Sequence, residues 1–190
     1  MPDRDAPTPQ TTRLRLEPFC QDHAAALNIL DSDPSVMRFI GDGSTRTLDQ
    51  TQAAIGRVQE RWERLGYSWW TIFERATEDA IGAACLQHIA NEDDAPLEIG
   101  WRLRPDKQGR GYATEAGRAI LQFAFRKVGV EQILAVAHPD NVSSRKVMER
   151  LGMTHEGIQT HYGQPCIVFR IQRSSVVKQG AERVPAAGAA

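Results

Sequence analysis

The chain has 190 residues, enough for one domain with a sizeable core and cramped for two. Hydrophobic residues make up 41% and charged residues 25%, and the net charge of −1 excludes the basic field that draws a nucleic-acid backbone. The longest apolar runs fall far short of the roughly 20 residues of a membrane helix, and the opening MPDRDAPTPQ lacks the apolar centre of a secretory signal.

These readings point to a cytoplasmic protein with neither a nucleic-acid nor a membrane partner. Three scattered cysteines (Cys20, Cys85, Cys166) suit buried thiols better than a disulfide set or a metal site.

In chain order, residues 1–11 read as a loose lead-in, 12–173 as one domain and 174–190 as a disordered tail. Arg13 to Leu16 alternate basic and apolar residues, the signature of a half-buried strand that Pro18 ends. Helical spacing from Asp22 to Leu30 stops at Asp33-Pro34. Ser35 to Thr47 reads equally as a pocket-lining loop or a short helix. A helix over about Leu48–Leu65 carries Ile55, Val58, Trp62 and Leu65 on one face, with Gly66 as its C-cap.

Strands are expected at Ser68–Glu74, Ala80–Ile89 and Leu97–Leu103, with a turn at Thr77-Glu78-Asp79. A helix from Tyr112 to Val128 ends at Gly129. The apolar run Val130–Ala137 is expected as a strand covered on both faces. A helix from about Asn141 to Leu151 and strand-like pieces at Met153–Thr160 and Cys166–Gln172 close the chain. Strand, glycine loop, helix and strand make a parallel βαβ unit, so the fold class is mixed α/β with a partly antiparallel central sheet.

The segment Leu97–Ala116 holds the main chemical signal. A strand feeds a loop with Gly109 and Gly111, and a helix opens at Tyr112, an arrangement that offers backbone N–H groups and a helix N-terminus to phosphate. No G-x-x-x-x-G-K-[ST] loop is present, which excludes a P-loop. The dinucleotide fingerprint fails because its third glycine is Thr114 and the next strand ends at Ala137-His138 without a ribose-binding acid.

Gln108 to Ala113 resembles the Q/R-x-x-G-x-G/A loop of the GCN5-related N-acetyltransferase (GNAT) superfamily. Glu98 to Ala116 is similar to the EIGW-L-P-x-x-x-G-x-GYATEA pattern of the branch that includes ribosomal-protein N-terminal (alanine) acetyltransferases. Asn141 to Met153 resembles that branch's N-x-x-S-x-[KR]-[VL]-x-E-[KR]-L-G-[FM] signature, and Asp33 to Thr47 its D-P-x-V-M-R-x-[IL]-G loop.

The resemblance spans about Thr11 to Arg173 and implies a single GNAT-like domain with two splayed strands. It implies acetyl-CoA as co-substrate, transfer of its acetyl group to a primary amine (a protein N-terminus or a small molecule), and often a homodimer. It further implies that backbone groups of Trp101, Arg102 and Leu103 pair with the pantetheine arm. Gln108, Gly109, Arg110, Gly111, Tyr112, Ala113 and Thr114 are expected to hold the pyrophosphate, with Asn141 and Ser144 on the cofactor arm and Arg145 and Lys146 within reach of phosphate.

The superfamily's usual tyrosine, seven residues after this Asn, is Met148 here, so either the thiolate leaves without a side-chain acid or another group such as Ser144 or Tyr162 takes over. Glu98 is the first candidate base, with Glu156 and His161 as alternatives. Regular alternation sends Glu98 to the face opposite Trp101 and Leu103. Met37, Phe39, Trp69 and the closing hairpin are the expected acceptor pocket. Glu115 reads as an ordinary first-turn helix acid. The five histidines show no metal spacing, so no metal site is expected. A catalytically silent acyl-CoA-binding sensor is the alternative that Met148 raises.

Overall fold

The alternating run at Arg13–Leu16 becomes strand β1 (Leu14–Pro18), in which Leu14 and Leu16 are fully buried and Arg15 turns outward. The computed structural model describes residues 8–175; most of the expected lead-in and almost all of the expected tail lie outside them. Within the lead-in, Gln10 pairs with Arg15, and the Thr11 hydroxyl donates to Glu115 at 2.6 Å.

One turn of 3-10 helix (Gln21–His23) precedes helix α1 (Ala24–Asp31), so the α-helix starts two residues later than its periodicity predicts. Asp33 accepts from the Ser35 N–H and Pro34 takes the first helical position, which opens the short helix α2 (Pro34–Met37). Both expectations for Ser35–Thr47 therefore hold in part, a helix first and then a loop.

Helix α3 (Leu48–Leu65) keeps its predicted bounds because both ends are capped. Thr47 and Gln50 form a capping box, and Gly66 at φ +74° supplies the left-handed terminus.

Strands β2 (Trp69–Glu74), β3 (Ala80–His88) and β4 (Leu97–Leu103) form an antiparallel meander. Helix α4 (Tyr112–Phe123) runs into a π turn (Ala124–Val128), and strand β5 (Gln132–Ala137) returns parallel to β4. Helix α5 (Val142–Arg150) leads to the hairpin β6 (Thr154–His161) and β7 (Gln164–Gln172). Among the described residues seven strands lie in the order β1-β2-β3-β4-β5-β7-β6, and β4/β5 is the one parallel pair. No helix among the described residues is long and apolar enough to cross a membrane.

The two sheet faces have different partners. Helix α4 covers one, where Phe123 meets Trp70 edge-on at 5.6 Å. Helices α1 and α3 cover the other, where Asp31 reaches Arg102 and Thr51. Strand β4 keeps an unbroken register against β3 from Leu97 to Leu103. Alternation therefore puts Glu98, Gly100 and Arg102 on the α1/α3 side, and Trp101 and Leu103 on the α4 side.

The expectation that β5 is covered on both faces needs correction. Ile133 and Ala135 are fully buried, but Val136 and Ala137 are only half-buried because they border an open cleft. That cleft exists because β4 and β5 share a single registered pair, Glu98 with Leu134, and then part.

Gly82 sits across from Leu103 at the end of β4. A Cβ there would lie 2.5 Å from the Arg102 carbonyl oxygen and 2.4 Å from the Leu103 side chain. Backbone cannot yield as a side-chain tip does, so Gly82→Ala is expected to lower stability by about 1–3 kcal/mol. Urea unfolding measures this, and an unchanged midpoint would show that β3 and β4 are not held so closely.

Candidate active site

The gap between β4 and β5 opens into a cleft of about 390 Å³. Its floor is β4 from Glu98 to Arg102, and its sides come from Val136 to His138, helices α3 and α5, and the β6–β7 turn. Glu98, Ser144 and Tyr162, three residues far apart in sequence, all border it.

Glu98 is buried within a chain of polar contacts. The Trp69 indole N–H donates to Gln87 Oε1 at 2.7 Å, and Gln87 Nε2 donates to Glu98 Oε1 at 3.1 Å. The Tyr162 hydroxyl donates to the same Glu98 oxygen. Among the described residues nothing donates to Oε2. Burial pushes the Glu98 carboxyl above the ordinary range, and the hydrogen bonds from Tyr162 and Gln87 offset only part of that. Tyr162 is pushed up as well, first by burial and then by the Glu98 charge beside it. Its φ of +54° is a left-handed conformation, next to Gly163 at +73°, so the turn spends backbone strain to hold this pose.

The remaining candidate bases fall elsewhere. Glu156 binds the Arg170 guanidinium at 2.8 and 3.2 Å on the outer side of the hairpin, and His161 does not border the cleft. Phe39, Trp69 and the hairpin residues Tyr162, Gln164 and Cys166 do line it as expected. Met37 is a correction: it is buried and borders a neighbouring hollow instead.

Arg102 also differs from expectation. The Arg104 N–H donates to the Ile81 carbonyl and the Ile89 N–H to the Pro96 carbonyl, so even-numbered residues of β4 turn their backbone groups toward β3. Trp101 and Leu103 face the gap instead. The Arg102 side chain is buried, 2.8 Å from Asp31 and 5.2 Å from the Trp69 ring centroid. Asp31 and Gln87 were missed from sequence, since nothing local marks a buried polar partner.

The glycine loop comes from a tight strand-to-helix passage. Gly109 and Gly111 have φ of +73° and +80°, which glycine adopts without Cβ strain. Among the described residues, no hydrogen bond is donated by the N–H groups of Gly109, Arg110, Gly111, Tyr112, Ala113 or Thr114. The Thr114 hydroxyl is buried with no partner.

Two loop side chains brace the structure. Gln108 Nε2 donates to the Leu103 carbonyl at 3.1 Å, and Tyr112 donates to Glu74. Lys107 Nζ lies 2.5 Å from the other Glu74 oxygen, and the Arg13 guanidinium covers the Tyr112 ring at 4.6 Å. Glu115 does more than its expected role, accepting from Thr11 and from the backbone and side chain of Arg13.

On α5, Asn141 caps the helix by accepting from the Ser144 N–H at 3.1 Å, and Asn141, Ser144 and Met148 face the cleft. Arg145 pairs with Glu149 at 3.6 Å on the exposed side, where Lys146 also lies.

Residues 13–154 match the Acetyltransferase (GNAT) domain. The chain is 43% identical over 148 residues to the uncharacterized N-acetyltransferase YnaD of Bacillus subtilis (strain 168), covering 77% of this chain and 82% of that one. The chain belongs to the GNAT acetyltransferase family. This acetyltransferase is also 24% identical over 111 residues to the ribosomal protein uS5-alanine N-acetyltransferase of Escherichia coli (strain K12), covering 58% of this chain and 57% of that one. An acetyltransferase structure from Agrobacterium tumefaciens str. C58 shares its fold at TM-score 0.74 and 26% identity, covering 88% of this chain and 95% of that chain.

The family's co-substrate is acetyl-CoA, and the acetyltransferase has unspent groups of the kind its phosphates require. These are the six loop N–H groups and the orphaned Thr114 hydroxyl. Among the described residues no cluster of three or more His, Cys, Asp or Glu side chains could hold a metal ion.

The brace beneath this loop is pH-sensitive. Hydrogen bonds from Lys107 and then Tyr112 pull the Glu74 carboxyl from 4.5 to about 2. A depressed carboxyl stabilises the fold fully above its unfolded value, and that stabilisation is lost as pH falls through the folded one. Stability is therefore expected to decline between about pH 4.5 and 2. Glu74→Gln should flatten that part of the profile in urea unfolding, and an unaltered acid limb would rule out the brace.

Proposed function

We propose that this acetyltransferase moves the acetyl group of acetyl-CoA directly to a primary amine bound beside it, with Glu98 as general base. The carrying observation is the buried Glu98 carboxylate, bordering the cleft where β4 and β5 part, with one oxygen held by Gln87 and Tyr162 and the other unpaired.

When bound, acetyl-CoA supplies an acetyl thioester. Trp101 and Leu103 pair with the amide-rich pantetheine arm as an added strand would, and an N–H on that edge polarises the thioester carbonyl. The N–H groups from Gly109 to Thr114 receive the pyrophosphate, with Arg110 adding charge. Asn141 contacts the arm from the start of α5.

The amine reaches the cleft protonated and must lose a proton before it attacks. A carboxyl raised by burial is the better acceptor of that proton near neutral pH. Gln87 and Tyr162 orient the Glu98 oxygens, and Trp69 orients Gln87 by occupying its amide oxygen. Once the C–N bond forms and the C–S bond breaks, Ser144 offers its hydroxyl to the leaving sulfur. It lies one turn before Met148, which cannot donate.

Thiol release from acetyl-CoA, assayed with amines that include Ala- and Ser-starting peptides, tests the reading. The uS5-alanine relative is the reason for including N-terminal peptides. Glu98→Gln is expected to lower kcat by about 10²- to 10⁴-fold and to remove the acid-side limb of the pH profile. Full activity in that variant would exclude Glu98 as base. Tight acetyl-CoA binding with no release from any amine would instead indicate a silent sensor.

Gly111→Asp sets a carboxylate among the loop N–H groups. It should weaken acetyl-CoA binding at least tenfold, read by calorimetry, while the circular dichroism spectrum is unchanged. Unaltered affinity would move the phosphate site elsewhere.

A further inference from the structure

The chain carries a net charge of −1, yet the wall of the cleft is cationic. Arg46, Arg57, Arg61 and Arg102 border it against only two carboxylates, Asp31 and Glu98. Arg102 holds Asp31 at 2.8 Å, with Arg46 at 3.5 Å, and Glu98 is engaged by Gln87 and Tyr162. Two cations are left over.

Arg57 and Arg61 stand one turn apart on α3, the spacing at which like charges repel. Among the described residues, Arg57 has no ion pair or side-chain hydrogen bond, and Arg61 has only a 3.3 Å bond from Nε to the Ser68 hydroxyl. Arg57 is exposed, whereas burial, followed by the Arg57 charge, lowers the Arg61 pKa, so Arg61 is held at a cost that an anion would offset.

The co-substrate phosphates are not that anion. The glycine loop opens α4 on the opposite face of the sheet, and none of Gly109 to Thr114 borders the cleft. A second hollow of about 320 Å³ adjoins the cleft, shares Arg46 and Arg57 with it, and adds Ser44, Thr45, Gln50 and one carboxylate, Asp42, which accepts from the Ser44 N–H at 3.0 Å. The cationic wall thus continues, through Arg46 and Arg57, into a space where two guanidinium groups face one carboxylate beside hydroxyl and amide groups.

We infer that the acceptor amine carries an anionic group, a carboxylate or a phosphate, which Arg57 and Arg61 bind while the amine is presented to Glu98. This rests on the acetyl-transfer reading above and specifies the acceptor's class. Planar guanidinium forks suit both oxyanions, and their fixed charge disfavours a polycationic acceptor such as a polyamine.

The test compares acceptors with the same N-terminal alanine and an amidated C-terminus, so that the side chain carries the only anionic group: Ala-Glu against Ala-Gln, Ala-phosphoserine against Ala-Ser, and Ala-Lys. Thiol release from the full chain should favour the anionic member of at least one pair by about tenfold or more in kcat/KM, mainly through KM, with Ala-Lys poorest. Whichever pair shows the preference identifies carboxylate or phosphate. Arg57→Gln with Arg61→Gln should bring that ratio close to one, and Arg57→Glu with Arg61→Glu should favour Ala-Lys.

Binding of the N-acetylated peptides, followed by tryptophan fluorescence, reads the same preference without turnover. If no peptide releases thiol but the anionic products still bind more tightly, the anion site stands and the transfer reading fails. Equal or better use of the neutral or cationic peptides, with no binding preference, would overturn the inference.

Discussion

A parallel pair of strands normally continues its ladder along the length of both partners. Here β4 and β5 share the Glu98–Leu134 pair and then separate, leaving an unpaired backbone edge inside the protein. Unpaired N–H and C=O groups are costly when buried, and on this edge Gln108 meets the Leu103 carbonyl at 3.1 Å. Nearly every feature of the site follows from that parting. It creates the cleft, turns the backbone groups of Trp101 toward the gap, half-uncovers Val136 and Ala137, and puts Glu98 where strand pairing gives way to open space.

The two faces of the sheet divide the work. Beneath the loop, Glu74 accepts from Lys107 and Tyr112, while Arg13 lies over the Tyr112 ring and also reaches Glu115. These contacts fix the start of α4 by its side chains, so that the loop's N–H groups stay free. On the opposite face, Asp31, Arg102 and Thr51 lock α1 and α3 against β4. That buried pair is a positional device, because the desolvation of both charges consumes much of their attraction. Its consequence is that α3 presents Arg57 and Arg61 to the cleft.

Glu98 joins the two halves. A carboxylate at the centre of a sheet is expensive to ionise, and Gln87 and Tyr162 meet that cost only in part. The remainder appears as a raised proton affinity, the property a base for an amine requires. Tyr162 supplies its bond from a strained turn in the closing hairpin, so β6 and β7 act on the site although they lie beyond β5 in the sheet order.

Local patterning was enough to read the strands, the long helix α3 with its cap at Gly66, the glycine loop and the Asn141 cap. Each depends on residues within a few positions of one another, where period, φ preference and capping chemistry act. The resemblance of Glu98–Ala116 and Asn141–Met153 to family motifs supplied acetyl-CoA, while Glu98 was read from its place on the central strand and Ser144 and Tyr162 as replacements for the tyrosine that is Met148 here. The sequence alone did not reveal which backbone groups of β4 face the gap, that Gln108 and Tyr112 brace the loop, that Met37 is buried, or that Gln87 and Asp31 flank the cleft. Those outcomes belong to the tertiary structure, because strand register and the packing of α1 and α3 on the sheet decide which distant side chains share one desolvated space.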